Sequence, residues 1–370
     1  MSNVRSPYLF TICQAGAEAV LKRELGRAHP KLKFAFSRPG FVTFKSPVPV
    51  VDNVELHSVF ARAYGLSFGK LGSVAEPTAL LQRLQELLPE AEGPFVLQVF
   101  AREDDPAPME AALHDPERAQ ATAVLVESVR TALKAACPRL WAPEAEPRRG
   151  QGVVDVLLLE PNEAANSPLY LGFHRHGFGH TGWPGGRPPL VLPAEAPSRS
   201  YLKLEEALLR GHVPIRSGDL ALEVGCAPGG AAYALLQRGL NVCGVDAAVC
   251  APIVANSKRF IAIRKSISLV EPRELPRVVH WLLFDINAGS SRSIPEAKRL
   301  VEYYRSSLLG LVLTLKLADW HKADEIPRVL EQLRHWGFEH VVARHLYHNR
   351  QEVSVLGLMP KAQGRTPKGS

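Results

Sequence analysis

EVGCAPGGAAYALLQRG, residues 223–239, joins a short apolar strand to a helix through a glycine-rich turn. Its glycines permit a tight turn and a close approach of the backbone to a ligand, and Pro228 stiffens the turn. Nineteen residues after Ala227, the next apolar strand ends in Asp246, whose carboxylate can accept hydrogen bonds from the diol of a ribose. The stretch therefore predicts a strand, a turn and a helix that bind an adenosine-type cofactor.

The chemistry of the ligand follows less directly from this loop. Its spacing is not the GxGxxG pattern that cradles the pyrophosphate of NAD. S-adenosylmethionine carries a ribose and an amino-acid head rather than phosphates, so the loop favours it over NAD. A turn that binds nothing is the structural alternative, and Asp246 at the end of the next strand argues against it.

The surroundings of the loop predict the fold class. From Pro197 onward, short apolar strands alternate with helical patterns, in the runs LALEVGC, NVCGVD, FIAIRK, WLLFDI, LVLTLKL, VVARHLY and EVSVLGL. Strands that alternate with helices of roughly 10 to 15 residues form a mostly parallel sheet with helices on both faces. We therefore predict an α/β, Rossmann-like domain in the carboxyl-terminal half.

The first half of the chain is less regular and predicts α+β structure. Short strand-like runs surround one helical pattern before Pro77, and a second group contains the strand FVLQVFAR and a long helix from about Glu117 to Ala136. The predicted organisation is a ferredoxin-like α+β unit at 1–72, a second α+β unit at 73–180, a linker at 181–196, the Rossmann-like domain at 197–360 and a disordered basic tail at 361–370.

Composition limits the class of protein. None of the 370 residues lies in an apolar run near the roughly 20 residues that span a bilayer, and the N-terminus lacks the features of a signal peptide, so we expect a cytoplasmic protein. The five cysteines are odd in number and never spaced as CxxC, which argues against a disulfide framework or a zinc ribbon. The net charge of +7 favours a polyanionic partner, with nucleic acid ahead of an anionic membrane surface.

A single charge interrupts one of the apolar strands. In VLTLKLADW, residues 312–320, Lys316 places an ammonium group among leucines. An isolated charge in an apolar setting is costly, so it is usually paired, neutralised or functional. Acidic partners for Lys316 are therefore expected at the ends of the other strands.

Two carboxylates and a second lysine are the candidate charged neighbours of Lys316. Asp285 ends the strand WLLFDI, and Glu352 begins EVSVLGL. Lys203 lies in the first turns of a helix that begins after APSRS, with Ser198 or Ser200 as its N-cap. Ligands in such sheets bind outside the carboxyl ends of the strands, so we expect the four charged groups to meet there. Each of them, taken alone, could also be an ordinary surface charge.

The chain resembles the RrmJ/FtsJ class of ribose 2'-O-methyltransferases in the phrases SRSYLKLEEA, LEVGCAPGGA, VDAA, LLFDI, LTLKL and YHNRQEVSV. The signature of that class is a Lys-Asp-Lys-Glu tetrad, which would here be Lys203, Asp285, Lys316 and Glu352. Within the class, the chain is most similar to bacterial members that methylate a cytidine ribose in large-subunit ribosomal RNA and carry a THUMP-like N-terminal region. The likeness covers about residues 190–357 and is faint before residue 150.

The resemblance implies S-adenosylmethionine as the cofactor, large-subunit ribosomal RNA as the partner, no metal, and a THUMP-like unit at 73–180. The residues that we expect at the cofactor are Ser200, Gly225, Ala227, Pro228, Gly229, Gly230, Asp246 and Asp285. Three positions depart from the usual pattern of the class. Glu223 stands where Asp is common, Ala231 where an aromatic residue is usual, and Ser266 where an acidic residue near the adenine is expected. These departures bear on cofactor affinity.

The reaction itself sets a chemical requirement. A sugar hydroxyl is a poor nucleophile at neutral pH, so the enzyme has to align it with the methyl donor and manage one proton. We assign that proton to Lys316. Burial and the neighbouring Lys203 are expected to lower the pKa of the Lys316 amine, and Asp285 with Glu352 to limit the shift and orient the amine.

Two further features concern RNA and metal. Five arginines near the junction of the two halves are candidates for contacts with phosphates: Arg148, Arg149, Arg175, Arg187 and Arg199. The loop FHRHGFGHTGWPGGRPP, residues 173–189, contains His174, His176 and His180, but no carboxylate or cysteine nearby in the sequence completes a metal site. We expect this loop to contact RNA or to act as a hinge.

Three functions from different classes follow. The first is an RNA ribose methyltransferase, and the second is a noncatalytic RNA-binding protein that retains the methyltransferase fold. The third is a nucleotide-dependent oxidoreductase, which is the weakest because the loop lacks the pyrophosphate spacing.

Overall fold

A computed structural model describes residues 4–76, 78–88, 93–106, 115–144, 146–160, 166–286, 290–362 and 364. The chain forms two compact units, Met1–Pro188 and Pro189–Ser370. None of the helices in the described ranges has the length and apolar character needed to cross a membrane. Most of the tail predicted at 361–370 lies outside the described residues.

The first unit is built on one sheet of seven strands, in the spatial order β2-β3-β1-β4-β7-β6-β5. The strands are β1 Arg5–Ile12, β2 Lys33–Arg38, β3 Phe41–Val51, β4 Ala63–Ser73, β5 Val96–Ala101, β6 Gly152–Leu158 and β7 Pro168–Arg175. The helices described in this unit are α1 Glu18–Ala28, α2 Thr78–Leu87 and α3 Pro116–Ala136. The long helix predicted from about Glu117 to Ala136 is confirmed as α3, which Asp115 caps by accepting a hydrogen bond from the amide of Arg118 at 3.0 Å.

This sheet joins the two α+β units that the sequence suggested. Strand β4 pairs with β7 in antiparallel register, for example Leu66 opposite Phe173. Strands from before and after residue 73 therefore share one ladder of hydrogen bonds, and the unit extends to Pro188. The subdivision at residues 72 and 180 stays a prediction.

The second unit contains another sheet of seven strands, in the order β10-β9-β8-β11-β12-β14-β13. The strands are β8 Leu220–Val224, β9 Asn241–Val245, β10 Phe260–Ile263, β11 Trp281–Phe284, β12 Gly310–Lys316, β13 His340–Arg344 and β14 Glu352–Leu358. The helices are α4 Ser200–Arg210, α5 Gly230–Gln237, α6 Pro252–Ala255, α7 Ser290–Tyr303 and α8 Ile326–His335. The α/β, Rossmann-like prediction is confirmed for this unit.

The order of the strands positions a ligand site. Strands β10, β9, β8, β11 and β12 are parallel, and β14 runs antiparallel between β12 and β13. The strand order reverses between β8 and β11, and ligands bind in the crevice at the carboxyl ends of strands on either side of such a reversal. The antiparallel register sets Lys316 directly opposite Glu352. The glycine-rich turn and the charged strand ends therefore lie at the same edge of the sheet.

Candidate active site

The glycine-rich turn between β8 and α5 requires its glycines. Gly225 has a φ of 85°, and a Cβ there would lie 2.7 Å from the backbone oxygen of Asp285. Gly229, the N-cap of α5, has a φ of 111°. A Cβ on Gly230 would overlap the hydroxyls of Ser198 and Ser200. The turn is thus packed against neighbouring strand ends and against the start of α4.

Asp246 fixes the same turn from the neighbouring strand. Its Oδ2 accepts a hydrogen bond from the amide of Ala227 at 3.0 Å, and its Oδ1 accepts one from the amide of Ala248 at 2.9 Å. Ser200 acts in a similar way from α4, because its hydroxyl accepts a hydrogen bond from the amide of Ala231 at 3.1 Å. Carboxylate oxygens can accept more than one hydrogen bond, so Asp246 can both hold the turn and bind a ribose diol.

A cavity of about 1080 Å³ opens beside this turn. The residues expected at the cofactor divide into two groups around it. Those that line it are Ser200, Gly225, Ala227, Pro228, Asp246 and Asp285, together with the two lysines Lys203 and Lys316. Gly229 and Gly230 form the start of α5 next to the turn. Arg199, a candidate for contacts with phosphates, also lines the cavity, and lining residues that sequence reasoning did not single out as ligands include Glu223, Lys265, Ser291 and Arg292.

Four charged side chains meet at the edge of this cavity. The amine of Lys316 forms an ion pair with Asp285, with 3.0 Å between Nζ and Oδ1, and it donates a hydrogen bond to Glu352. The amine of Lys203 forms an ion pair with Glu352 and lies 3.9 Å from Oδ2 of Asp285. The Glu352 side chain is only 5% exposed, whereas the other three are 20 to 25% exposed. The structure thus brings together the two lysines and two carboxylates that the sequence singled out.

The electrostatics of this cluster differ from the expectation. Burial lowers the pKa of the Lys316 amine, but the charges of Asp285 and Glu352 and the hydrogen bonds to them raise it further, so that its pKa lies above the ordinary value of 10.5. The prediction of a lowered pKa is therefore wrong, because two carboxylates at contact distance outweigh the effect of burial. Burial raises the pKa of Glu352, and the two lysines lower it more, so that it ends below 4.5. At neutral pH, Lys316 is an ammonium and Glu352 a carboxylate.

Glu223 is a further acidic group of the cavity wall. It lies on β8, is 2% exposed, and its Oε2 has no hydrogen-bond partner among the described residues. Burial, together with the charges of Asp285 and Asp246, raises its pKa well above 4.5. A buried polar atom without a partner at a cavity wall is suited to a ligand that supplies one. The sequence signal that could have identified Glu223 as a site residue is its position near the end of β8, beside the glycines of the turn.

Helix α4 is tied to the segment that precedes Glu352. Glu206, one turn after Lys203, is fully buried. Its carboxylate accepts hydrogen bonds from the amide of Tyr347 at 2.9 Å and from the amide of His348 at 3.0 Å, and the ring Nδ1 of His348 lies 2.8 Å away. The element that carries Lys203 and the loop that leads to Glu352 are therefore joined through one side chain.

The histidine loop of the first unit contains a carboxylate contact that the sequence did not reveal. Nδ1 of His174 lies 2.7 Å from Oδ2 of Asp155, because β6 and β7 are paired. The rings of His174 and His180 stack with centroids 4.4 Å apart, and burial with the charges of His174 and His176 lowers the pKa of His180 to about 2. Among the residues that the structure describes, no group of three or more His, Cys, Asp or Glu side chains has a geometry that could hold a metal. We interpret this loop as packed structure.

The arginines proposed for phosphate contacts have different surroundings. The side chain of Arg148 is 79% exposed. The guanidinium carbon of Arg149 lies 3.8 Å from the ring centroid of Phe178, which is itself 81% exposed. Arg175 forms an ion pair with the buried Asp52 at 2.8 Å. Arg148 and Arg149 are therefore accessible to a polyanion, whereas Arg175 serves the packing of its own unit.

Comparison with known proteins gives a consistent result. Residues 196–341 match a family described as FtsJ-like methyltransferase. Two curated relatives bear the name Ribosomal RNA large subunit methyltransferase M. The relative from Halorhodospira halophila is 33% identical over 191 residues, which cover 50% of this chain and 53% of that protein. The relative from Shewanella amazonensis is 28% identical over 304 residues, which cover 72% of this chain and 78% of that protein.

The match to the first of these relatives spans about half of that protein's length, 53%. Among solved structures, TrmN from Thermus thermophilus aligns with 95% of this chain and 99% of its own, at 17% identity and a TM-score of 0.35. A likeness this low does not bear on function.

Proposed function

We propose that this chain transfers a methyl group from S-adenosylmethionine to a ribose 2'-hydroxyl of RNA, because residues 196–341 match the FtsJ-like methyltransferase family. The observation that supports this most directly is the cluster of Lys203, Asp285, Lys316 and Glu352 at the edge of the cavity. The cluster sets a primary amine next to the cavity of the glycine-rich turn, where the proton of a hydroxyl nucleophile has to be managed.

The cavity suits this cofactor in its size and in its polar groups. Its volume of about 1080 Å³ accommodates a nucleoside with an amino-acid head. Asp246 would bind the ribose, and Glu223 would meet a polar group of the amino-acid head. Gly225 keeps the turn packed against the backbone of Asp285, since a Cβ there would overlap that backbone, and the packed turn forms part of the cavity wall. When bound, the cofactor supplies a methyl group activated on a sulfonium.

The charged cluster would orient the nucleophile and move one proton. Asp285 and Glu352 both contact Nζ of Lys316, and Lys316 also lines the cavity in which the ribose hydroxyl would lie. In its deprotonated form, Nζ would accept the hydroxyl proton as the oxygen takes the methyl group, whose bond to the sulfonium breaks and leaves the sulfur as a neutral thioether. The ammonium that results is stabilised by both carboxylates, and Lys203 keeps Glu352 ionised.

The proposed substrate is large-subunit ribosomal RNA. Two relatives carry that RNA in their name, and the resemblance to bacterial members of the class points to a cytidine as the target nucleoside. The reaction would then belong to the cytoplasm, where bacterial ribosomes assemble. Recognition of the RNA is assigned to Met1–Pro188, with the ferredoxin-like segment at 1–72 and the THUMP-like segment at 73–180.

Methyl transfer to ribosomal RNA that lacks modification tests this proposal. With tritiated S-adenosylmethionine, we expect label in one 2'-O-methyl nucleotide of the large-subunit RNA. Binding of RNA without label at saturating cofactor would instead favour a noncatalytic RNA-binding protein. In calorimetry, saturable binding of NAD with none of S-adenosylhomocysteine would favour an oxidoreductase.

A further inference from the structure

A second concave site lies on the sheet of the first unit, far along the chain from the glycine-rich turn. It has a volume of about 490 Å³, and we call it the sheet-face pocket. Its aromatic and cationic lining residues are Arg5, Tyr8, Phe36, Phe68, Arg83 and Tyr170. Pockets of roughly 300 to 1,000 Å³ with few polar groups are the usual size for small ligands or for one unit of a polymer.

Cations lie against three of the aromatic rings of this pocket. Nζ of Lys45 is 5.7 Å from the ring centroid of Tyr8, and the guanidinium carbon of Arg38 is 5.2 Å from that of Phe36. The guanidinium of Arg83 lies 6.0 Å from the ring of Phe68. The interleaving of cations with aromatic rings is the pattern by which proteins bind single-stranded nucleic acid, since bases stack on the rings and phosphates meet the cations.

Three of the five cations named around the pocket have no carboxylate partner among the described residues. Lys33 and Lys45 are directly opposite on β2 and β3, and like charges in that position destabilise a sheet. Neither lysine, nor Arg5, forms an ion pair with any residue that the structure describes. Arg38 and Arg83 are the exceptions, at 3.3 Å from Glu160 and 2.7 Å from Glu86. The excess of positive charge favours a polyanionic ligand.

Hydroxyl groups form the floor of the pocket. The hydroxyls of Ser67 and Tyr170 are 2.5 Å apart, and the hydroxyl of Ser6 donates to the backbone oxygen of Ser67 at 2.7 Å. Burial raises the pKa of Tyr170, so its hydroxyl keeps its proton at neutral pH and can both donate and accept. Flat aromatic walls above such a floor suit the stacked face and polar edge of a nucleobase.

We propose that the sheet-face pocket binds a base of single-stranded RNA, with Tyr8 stacking on the base and Lys33, Lys45 and Arg5 meeting the adjacent phosphates. An acidic polypeptide would satisfy the cations but would leave the aromatic walls and the hydroxyl floor without a role. The identity of the RNA rests on the proposed function, whereas the binding of single-stranded RNA does not. The pocket would then recognise a segment of the substrate other than the methylated nucleotide.

Binding of a fluorescent single-stranded oligoribonucleotide of about ten nucleotides to the full chain, followed by anisotropy, tests the pocket. Tyr8→Ala should weaken binding roughly 5- to 100-fold, because each stacked base contributes that much. Lys45→Gln should weaken binding less and reduce the slope of log K against log salt by about 0.7. The matched controls are Tyr303→Ala and Lys298→Gln on α7, an exposed aromatic residue and an exposed lysine of the other unit, which should change binding by less than about twofold.

Two further measurements keep the outcomes separate. Unfolding temperature and affinity for S-adenosylhomocysteine should equal those of the wild type in Tyr8→Ala, which excludes misfolding as the cause. If Tyr8→Ala and Lys45→Gln bind the oligonucleotide within about twofold of wild type, the proposal that the pocket binds single-stranded RNA is refuted. If the two variants lose as much affinity for polyglutamate as for RNA, the proposal is refuted in favour of a site for an acidic polypeptide. RNA binding that depends on Tyr8 in a protein that transfers no methyl group would support the pocket and refute the proposed function.

Discussion

The amine of Lys316 lies between two carboxylates, and its chemistry follows from that position. Its distance of 3.0 Å from Asp285 and its hydrogen bond to Glu352 hold it as an ammonium at neutral pH. A partly buried cluster of this kind is weak evidence of stabilisation, because the cost of removing the charges from water offsets much of their attraction. Because the amine lies beside the cavity and we propose a chemical role for it, substitutions there should affect rate more than folding.

We expect Lys316→Ala to reduce the rate of methyl transfer by roughly 100- to 10,000-fold, the range for loss of a general base. Affinity for S-adenosylhomocysteine, measured by calorimetry, should stay near wild type, since the turn and Asp246 supply that binding. Lys316→Arg should not restore the rate, because a guanidinium stays charged and cannot accept the proton.

Asp246→Ala is the matched control for this prediction, and it should weaken cofactor affinity first. Near-normal methyl transfer by a folded Lys316→Ala protein would refute the assignment. Lys316 would then be only an ion-pair partner of Asp285 and Glu352.

The raised pKa of Lys316 gives a separate prediction for the dependence of rate on pH. At saturating cofactor and RNA, the rate should increase about tenfold per pH unit between about pH 6 and pH 9, because the deprotonated fraction of an amine grows in that way below its pKa. A plateau that begins near pH 7 would instead show an amine with a lowered pKa.

The stability of the cluster should be constant across that window. A raised pKa for Lys316 means that its contribution to stability is complete below 10.5 and is lost as pH rises through the higher folded value. A lowered pKa for Glu352 means that its contribution is complete above 4.5 and is lost as pH falls through the lower folded value. Thermal unfolding at pH 6 to 9 therefore serves as the control for the rate measurement.

Sequence reasoning found the positions of these groups but not their titration. Lys316, Asp285 and Glu352 lie at the ends of apolar strands, and the order of parallel strands brings such ends together. The direction of a pKa shift depends on distances of a few ångströms, because burial and paired charges act in opposite senses on a lysine. No sequence pattern contains those distances. Glu223 was noted only as a departure from a pattern for the same reason.

At the scale of elements, α4 and the β13–β14 loop are coupled through Glu206. Burial raises the pKa of this carboxyl group, but the hydrogen bonds from His348 and Tyr347 and the charge of Arg210 lower it more, so that the net shift is downward. The carboxylate is therefore ionised while it accepts two backbone amides. Because Lys203 is on the helix and Glu352 follows the loop, the relative position of these two catalytic candidates depends on this contact.

We expect Glu206→Gln to lower the free energy of unfolding by about 1–3 kcal/mol, because the amide cannot accept every hydrogen bond that the carboxylate accepts. It should also reduce the rate of methyl transfer by up to about 100-fold through misplacement of Lys203 relative to Glu352. Calorimetric unfolding and single-turnover methyl transfer measure the two effects.

Glu205→Gln is the matched control, because Glu205 is a neighbouring buried carboxylate that pairs with Arg238 instead of the loop. It should change stability without a comparable loss of rate. Equal rates for Glu206→Gln and Glu205→Gln would show that the contact has no positioning role.

The elements of the first unit show a limit of sequence reasoning. The periodicity of α3 sufficed to place a helix of 21 residues, whereas the joining of β4 to β7 had no signal in the sequence. Pairing between strands about 100 residues apart depends on side-chain packing across the sheet. The composition of short apolar strands does not identify which of them pair with each other. The predicted boundary at 72 accordingly falls within a strand that belongs to the common sheet.

At the scale of the whole molecule, the two units divide the proposed work. The cavity, the glycine-rich turn and the charged cluster all lie in Pro189–Ser370, whereas the sheet-face pocket lies in Met1–Pro188. The net charge of +7 agrees with the polyanionic substrate that we propose, so the affinity of the full chain for RNA should fall steeply with salt.

A protein consisting of Pro189–Ser370 should fold and bind S-adenosylhomocysteine with near wild-type affinity, because every strand of its sheet and every residue of its cavity is retained. Methyl transfer to ribosomal RNA should largely vanish, since the groups proposed to bind the RNA are removed. Calorimetry and label incorporation measure the two properties on the same preparation. If turnover on ribosomal RNA equalled that of the full chain, Met1–Pro188 would not be the unit that recognises the substrate, and the arginines and lysines of the second unit would have to supply all of the phosphate contacts.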